Sequence, residues 1–355
     1  MIRILIEENY IKNNRFQLIL NGISSVAKRR HIDVAIHTDI AELKNDCRLV
    51  ILICQSLKWS TDHIEKLNER NIHPLVFGFQ YLDTTYKYSS IAPNYTKSAY
   101  RLTKYVISQN KGKTAVLGYN EDSLPDRLKY IGIRYAVTEE GQPYEVFKNH
   151  GDILECLDRF ALHCADVKNI VCCNDNVAVM LYTKYAHLLQ DKTMCSCSGL
   201  KISEYFETPY PVCRIDYCEA GVQLALLYLF LLKEESIYST VMTFDMDFSF
   251  QEEAGAISLP SNGEIYSQEE VNFFGDKNLE SMERLDKMLG QCDETDLLIL
   301  KDVVDNVTYE TIADEYYLAV NTVKYRMKKL LDAAGVTSRK ELLRLLEEYK
   351  IKFKK

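Results

Sequence analysis

Four basic side chains near the C-terminus are spaced for contact with a polyanion. Lys324, Arg326, Lys328 and Lys329 fall on one predicted helix, and no acidic residue follows them before Asp332. Lysine and arginine neutralise the phosphates of nucleic acids, and a helix that carries them fits the major groove of DNA. The pattern therefore predicts a DNA-recognition helix. The alternative is the solvated basic face of an ordinary surface helix.

Two groups of cysteines have residue types that suit a nucleophile or a metal site. They are Cys172-Cys173 and Cys195-Ser196-Cys197. A C-x-C pair lacks two further ligands at standard spacing, and cysteines on predicted buried strands behave as small hydrophobic residues. The eleven cysteines form no regular framework, which fits a reducing cytosol. A Cys-dependent or metal-binding enzyme is therefore an alternative only, and neither a cofactor nor a metal is expected.

Two short helices joined by a tight turn must position the basic residues. Thr308 offers a hydroxyl for the N-cap of the first helix, and Ala313 is small enough for a close helix crossing. The second helix begins at about Val320, and its apolar residues recur every three or four positions. This buried stripe consists of Val320, Val323, Met327, Leu330 and Leu331. The side predicted to bind DNA consists of Asn321, Thr322, Lys324, Tyr325 and Lys328.

The segment from Thr295 to about Leu346 resembles the LuxR-type helix-turn-helix domain. Three pieces at matching spacing carry the resemblance: Ile312-Ala313, Thr322-Val323-Lys324 and Gly335-Val336-Thr337-Ser338-Arg339. Three positions depart from the family pattern: Ala319 for a capping Ser, Asn306 for Gly, and Ala333-Ala334 for Lys-Leu. The resemblance implies that residues 292–355 form a small all-α DNA-binding domain. Because symmetric proteins read palindromic DNA, we expect a homodimer.

Strand-like and helix-like segments alternate through the first 250 residues. The predicted strands cover residues 2–6, 32–37, 48–54, 74–79, 113–119, 169–173, 193–197 and 241–250, and helical patterns separate most of them. Such alternation implies βαβ units with parallel sheets and right-handed crossovers. Because the alternation restarts near residue 97, the sequence predicts two α/β lobes with a ligand cleft between them.

This part of the chain is similar to the LacI/GalR-type sensor domain, which has the type I periplasmic-binding-protein fold. Four pieces in order carry the similarity: Arg127 and Gly132 in DRLKYIG, Asn169 to Tyr182, Ser198-Gly199-Leu200, and Pro209 to Gly221. The resemblance implies a sensor over residues 1–260, with lobe one as 1–92 plus 217–240 and lobe two as 93–216 plus 241–260. Residues 261–291 then read as a helical linker.

The same resemblance implies that polar residues at strand ends hold the ligand. Carried over by position, the candidates are Arg127 or Lys129, Asn174, and Lys201. Lys201 stands where an Asp usually grips sugar hydroxyls, and an ammonium donates hydrogen bonds but cannot accept them. A small-molecule effector is therefore expected, and an anionic one, such as a phosphosugar or a carboxylate, is favoured over a plain sugar. The alternative is that both lysines point to solvent. For Asn174-Asp175, the alternative is that Asp175 merely caps its helix.

Charge and composition bound the remaining possibilities. The net charge is −8, while residues 292–355 hold equal numbers of basic and acidic residues, so the acidic excess lies in residues 1–291. No apolar run is long enough to span a membrane, and we expect a cytoplasmic protein. The nearest rival is a response regulator with a degenerate receiver-like domain, but Cys54 ends the third strand where a phospho-accepting Asp belongs. We therefore expect a ligand-responsive transcription regulator that is not an enzyme.

Overall fold

The computed structural model describes the chain except residues 12, 45, 55, 80, 81, 83, 122, 208, 209, 234–238, 251–278, 354 and 355. Two α/β lobes with parallel sheets are followed by an all-helical C-terminal region. The predicted fold class is therefore confirmed. Within the described residues, no helix is long and apolar enough to cross a membrane.

Lobe one is a six-stranded parallel sheet covered by helices on both faces. Its spatial order is β11-β5-β4-β3-β1-β2. The strands are β1 (Ile2–Ile6), β2 (Val34–His37), β3 (Leu49–Ile53), β4 (His73–Phe77), β5 (Ser89–Pro93) and β11 (Val241–Phe244). The helices are α1 (Asn14–Arg30), α2 (Leu57–Glu69) and α7 (Tyr217–Lys233). All five residues of β3 are buried, because helices exclude water from both sides of the sheet.

Lobe two is built around a four-stranded parallel sheet in the order β7-β6-β8-β9. Its strands are β6 (Lys113–Tyr119), β7 (Tyr144–Lys148), β8 (Val167–Cys172) and β9 (Thr193–Ser196). Its helices are α3 (Tyr95–Gln109), α4 (Leu124–Glu139), α5 (Ile153–His163) and α6 (Asp175–Lys184). A short antiparallel ribbon joins β10 (Cys213–Arg214) to β12 (Asp247–Phe248). Helices α3 and α4 cross closely at Gly132, where an added Cβ would lie 2.1 Å from the carbonyl oxygen of Thr96.

The strand expected over residues 241–250 is divided between two sheets. The predicted boundary assigned residues 241–260 to lobe two, but β11 pairs in parallel with β5 at the edge of the lobe-one sheet. Backbone hydrogen bonds from Ser90 to Thr240 and from Asn94 to Phe244, both 2.8 Å, fix this edge. Only β12 lies with lobe two, and residues 251–260 lie outside the described residues.

Among the described residues 279–353, five helices make up the C-terminal region. They are α8 (Glu280–Gly290), α9 (Glu294–Val304), α10 (Tyr309–Glu315), α11 (Val320–Ala334) and α12 (Arg339–Glu348). Met282 and Leu285 of α8, Val323 and Met327 of α11, and Leu342 of α12 are buried together. Their shared core explains why the apolar residues recur at three- and four-residue spacing along each helix. The segment 261–278 of the expected linker lies outside the described residues.

Candidate functional site

Polar side chains gather where the chain passes between the lobes. Tyr95 opens α3 directly after β5, and Tyr217 opens α7 shortly after β10, so both lie on connections from one lobe to the other. Arg15 lies in the first turn of α1, after β1, and Lys129 lies in α4, after β6. Ligands of open α/β sheets bind beyond the carboxyl ends of strands. We call the space around these residues the inter-lobe cleft.

Asn174 and Asp175 follow β8 and have different partners. The Oδ1 atom of Asn174 accepts a hydrogen bond of 3.2 Å from the backbone N–H of Val177, so Asn174 caps α6. The alternative that Asp175 supplies this cap is wrong. Asp175 instead accepts hydrogen bonds from the Leu200 backbone at 2.6 Å and the Tyr210 hydroxyl at 2.9 Å. Because Asp175 is only 1% exposed, burial raises its pKa to about 6.

Lys129 is buried and has protein partners for its charge. Its Nζ lies 3.1 Å from Oδ1 of Asp126 and donates to the carbonyl oxygen of Cys173 at 2.8 Å. The same atom lies 5.5 Å from the centre of the Tyr95 ring. Burial raises the pKa of Asp126, and the neighbouring ammonium opposes that shift. The ligand role of Lys129 stays a prediction, but its charge is already balanced inside the protein.

The other two predicted ligand residues differ from each other. Lys201 is exposed, and its Nζ lies 2.6 Å from Oε2 of Glu204, whose other oxygen lies 3.1 Å from Arg214. The Nε atom of Arg127 is buried and has no hydrogen-bond partner among the described residues. Arg127 therefore keeps an unused donor, whereas Lys201 already has an acidic neighbour. A ligand role for either residue stays a prediction.

Sequence reasoning missed four residues of the cleft: Tyr10, Arg15, Tyr95 and Tyr217. None belongs to a recognised motif, and they come from three distant parts of the chain. The available signal was positional, because each follows the end of a strand within a few residues or opens the next helix. In an α/β fold that position is where ligand-contacting side chains are expected.

The outward side of α11 carries the residues predicted to bind DNA. Those residues are exposed, namely Asn321, Thr322, Lys324, Tyr325 and Lys328, while Val323 and Met327 are buried. Arg326 was expected to belong to the outward basic face, but it turns back into the domain. Its Nη1 lies 2.8 Å from Asp293 and 2.7 Å from Asp296, the two residues of the α9 capping box. The outward cations of α11 are therefore lysines.

The turn between α10 and α11 carries one unusual residue. Tyr317 has a φ of +54°, in the left-handed region, and its side chain is 96% exposed. A tyrosine there costs free energy that glycine would avoid. Ala319 stands at the N-cap of α11 and provides no side-chain hydrogen bond, as the sequence predicted.

A 3₁₀ helix, Lys201–Tyr205, joins the cleft side of lobe two to the C-terminal helices. The Ile202 backbone N–H donates to Oδ1 of Asp286 on α8 at 2.9 Å. At the other end of the region, the Lys352 backbone N–H donates to the carbonyl oxygen of Tyr205 at 2.8 Å. Since Asp175 holds the Leu200 backbone, the start of α6 is connected to α8 through one short segment.

The two groups of cysteines noted in the sequence are buried in lobe two. Cys172, Cys173, Cys195 and Cys197 are almost fully buried and carry free thiols. Burial raises the pKa of Cys197 to about 12, so its reactive thiolate form is scarce at neutral pH. In the described part of the chain, no group of His, Cys, Asp and Glu side chains could hold a metal ion.

Comparison with known proteins relates the two-lobed part to solved transcription regulators. No protein-family model matches the chain, and no curated protein matches it. The transcriptional regulator CelR in complex with cellobiose is 14% identical, with a TM-score of 0.55 over 70% of this chain and 82% of its own.

Two further solved structures give the same picture. A LacI family regulator from Enterococcus faecium with bound ribose is 15% identical, with a TM-score of 0.54 over 70% of this chain and 97% of its own. Regulator CcpA of Lactococcus lactis is 16% identical, with a TM-score of 0.56 over the same shares. At these identities the comparison establishes a shared fold: about 70% of this chain has the two-lobed architecture of LacI-family regulators.

Proposed function

We propose that this protein is a ligand-responsive, DNA-binding transcription regulator. The two-lobed part binds a small molecule between its lobes, and the C-terminal helices bind DNA. The fold shared with regulators solved with cellobiose and with ribose supports a small-molecule effector. A receiver domain has a single sheet, so the two-lobed fold does not support the response-regulator alternative.

The proposed DNA binding rests on the exposed lysines along the outward side of α11. Lys324, Lys328 and Lys329 are exposed, and none forms a salt bridge with a described residue. A lysine without a salt bridge can contact a DNA phosphate without first breaking an interaction within the protein. Its whole charge then contributes to DNA binding. These lysines stand out in a chain whose net charge is −8. The LuxR-type resemblance supports the same face.

Contacts made by the 3₁₀ helix Lys201–Tyr205 support a coupling between effector binding in the cleft and DNA binding by the C-terminal helices. A ligand that binds one lobe arrangement better than another shifts the population toward that arrangement. Any movement of the segment after β9 acts on α8, because Asp286 accepts a hydrogen bond from Ile202. We infer that lobe closure repositions the C-terminal helices, and that two copies bind a palindromic site.

DNA titrations by fluorescence anisotropy test the proposal. We would use a random-sequence 30-base-pair duplex and duplexes selected from a random library. The variant Lys324→Ala/Lys328→Ala should weaken binding at least 10-fold and lower the salt slope by about two, because two phosphate contacts are lost. The matched control Lys287→Ala/Lys340→Ala removes two exposed lysines elsewhere in the same region and should bind like wild type.

Two results would contradict the proposal. Equal binding by both double variants would exclude α11 as the DNA-contacting helix. Light scattering that shows one copy of the chain both in solution and on selected DNA would exclude the dimer.

A further inference from the structure

Tyr10, Arg15, Tyr95 and Tyr217 form one cluster in the inter-lobe cleft, which we call the Arg15 cluster. The Cζ atom of Arg15 lies 5.7 Å from the centre of the Tyr217 ring. The Arg15 charge lowers the pKa values of Tyr10 and Tyr95 against the larger effect of burial, so both phenols lie within electrostatic reach of the guanidinium. Tyr95 also faces Lys129 of lobe two. The cluster therefore spans both lobes.

The polar side-chain groups of the cluster have no hydrogen-bond partners in the described part of the chain. Neither the guanidinium of Arg15 nor the hydroxyls of Tyr10, Tyr95 and Tyr217 make a hydrogen bond to any described residue. Tyr10 is only 7% exposed, and Arg15, Tyr95 and Tyr217 are partly buried. Polar groups that keep some access to solvent and have no partner in the protein can exchange water for a ligand. Several such groups in one place indicate a binding partner from outside the chain.

The guanidinium and the phenol hydroxyls of the cluster can all donate hydrogen bonds. Burial raises the pKa of Tyr10 and of Tyr95 well above the usual range, so both phenols stay protonated. A guanidinium has five N–H donors and no acceptor. A ligand that satisfies this set must offer acceptor oxygens, and negative charge on those oxygens strengthens the bonds.

The surrounding backbone favours the same kind of ligand. Helices α1, α3 and α7, of 17, 15 and 17 residues, begin at or next to Arg15, Tyr95 and Tyr217. A helix N-terminus carries partial positive charge. The three helix starts and the guanidinium therefore contribute the same sign of potential to one small region.

Three nearby carboxylates already have partners in the protein. Glu7 accepts a hydrogen bond of 3.2 Å from the Ser56 backbone, and Asp126 is paired with Lys129. Asp286 accepts from Ile202, and with Glu283 on the same helix it lies close enough to feel the Arg15 charge. Sugar hydroxyls can also accept hydrogen bonds from this cluster, but they carry no negative charge to match the guanidinium.

Building on the proposed sensor function, we infer that the Arg15 cluster binds the carboxylate or phosphate group of a small organic acid. The guanidinium takes two oxygens of that group in a forked contact, and the phenols donate to its remaining lone pairs. The anionic effector expected from the sequence is retained, but its anchor is Arg15 rather than Lys129 or Lys201.

Thermal unfolding and calorimetry of the full chain test the inference. The probes are acetate, inorganic phosphate, glucuronate and glucose 6-phosphate, with glucose, ribose and cellobiose as neutral comparisons. All samples contain chloride at matched ionic strength. We expect at least one acid to raise the melting temperature of the wild type, because a ligand that binds only the folded state stabilises it. A response to carboxylates only, or to phosphates only, identifies which acid group binds.

Three variants connect the response to the cluster. Arg15→Gln should weaken binding of the active acid at least 10-fold, and Arg15→Lys should give an intermediate loss because a point charge replaces the fork. Arg30→Gln removes an exposed arginine from the other end of α1 and should bind like wild type. Tyr217→Phe, which keeps the ring and deletes the hydroxyl, should weaken binding less than Arg15→Gln.

The possible failures are distinguishable. The inference is overturned if no acid stabilises the wild type, if only neutral sugars do, or if Arg15→Gln keeps the full response. Stabilisation by neutral sugars would leave the proposed sensor function intact. Failure of the DNA titrations would remove the regulator proposal without changing the result for the acids.

Discussion

The inter-lobe cleft and α11 both contain basic residues that could bind an anion. In each region some of these residues are paired within the protein and others are not. In the cleft, Lys129 is paired with Asp126 inside the protein, while the guanidinium of Arg15 has no hydrogen-bond partner among the described residues. On α11 the pattern is reversed, because Arg326 is paired and Lys328 is exposed. A cation indicates a ligand site only where the surrounding structure leaves its charge available.

The largest effect should come from breaking the buried pair in the cleft. Both side chains of the Lys129–Asp126 pair are only 6% exposed. Asp126→Ala leaves an ammonium buried with a single carbonyl partner, and we expect a loss of about 3–5 kcal/mol in the free energy of unfolding. Urea denaturation followed by circular dichroism measures this loss.

A matched surface pair provides the control. Lys148 and Glu121 form an ion pair in the same lobe, with side chains 43% and 49% exposed. Glu121→Ala should cost less than about 1 kcal/mol. If Asp126→Ala and Glu121→Ala have equal effects, Lys129 is not held by Asp126 and is available to a ligand.

A smaller loss of stability should distinguish Arg326 of α11 from the lysines of the same helix. Arg326 contacts Asp296, whose side chain is 1% exposed, so Arg326→Ala leaves a buried carboxylate without its cation. We expect a loss of about 1–3 kcal/mol in the free energy of unfolding, and Lys328→Ala should change it by less than about 0.5 kcal/mol. Equal stability of the two variants in urea denaturation would show that the Arg326 contact contributes nothing.

The smallest effect, with the opposite sign, is expected in the turn before α11. Tyr317→Gly removes a left-handed tyrosine and should raise the free energy of unfolding by about 1 kcal/mol. Tyr325→Gly, an exposed tyrosine inside α11, should instead lower it by roughly 0.5–1 kcal/mol because glycine weakens a helix. A melting temperature that falls in both variants would exclude strain at Tyr317.

Strands made of a continuous apolar run were predictable from the sequence, whereas a buried strand that contains polar residues was not. Ile2–Ile6 and Leu49–Ile53 are continuous apolar runs, and both are strands of the lobe-one sheet. Strand β5, Ser89–Pro93, was missed because two serines and a proline do not resemble a buried strand. The Ser89 hydroxyl is 2.9 Å from His73 Nε2 and accepts from the Thr240 backbone at 3.1 Å. Tertiary partners, absent from local sequence, make that strand possible.

The candidate sites were predictable to different degrees for a similar reason. The outward and buried sides of α11 follow from helical spacing within one segment, so the exposed positions of Lys324 and Lys328 match expectation. The Arg15 cluster draws on segments separated by about 80 and 120 residues, and no local pattern joins them. The three-residue spacing of Asp126 and Lys129 on a helix permits an ion pair. The same spacing does not tell whether that pair is buried or exposed.

The attachment of the C-terminal helices to lobe two limits how they can move. A body held at one point can swivel in any direction, whereas a body held at two points can rotate only about the line that joins them. Asp286 and Lys352 provide two such points, near the first and last residues of the helical region, on opposite ends of the segment 202–205. A third contact, from the Lys350 ammonium to the carbonyl oxygen of Tyr182 at 3.3 Å, and a shared apolar core oppose rotation about that line. We therefore expect α11 to move together with lobe two.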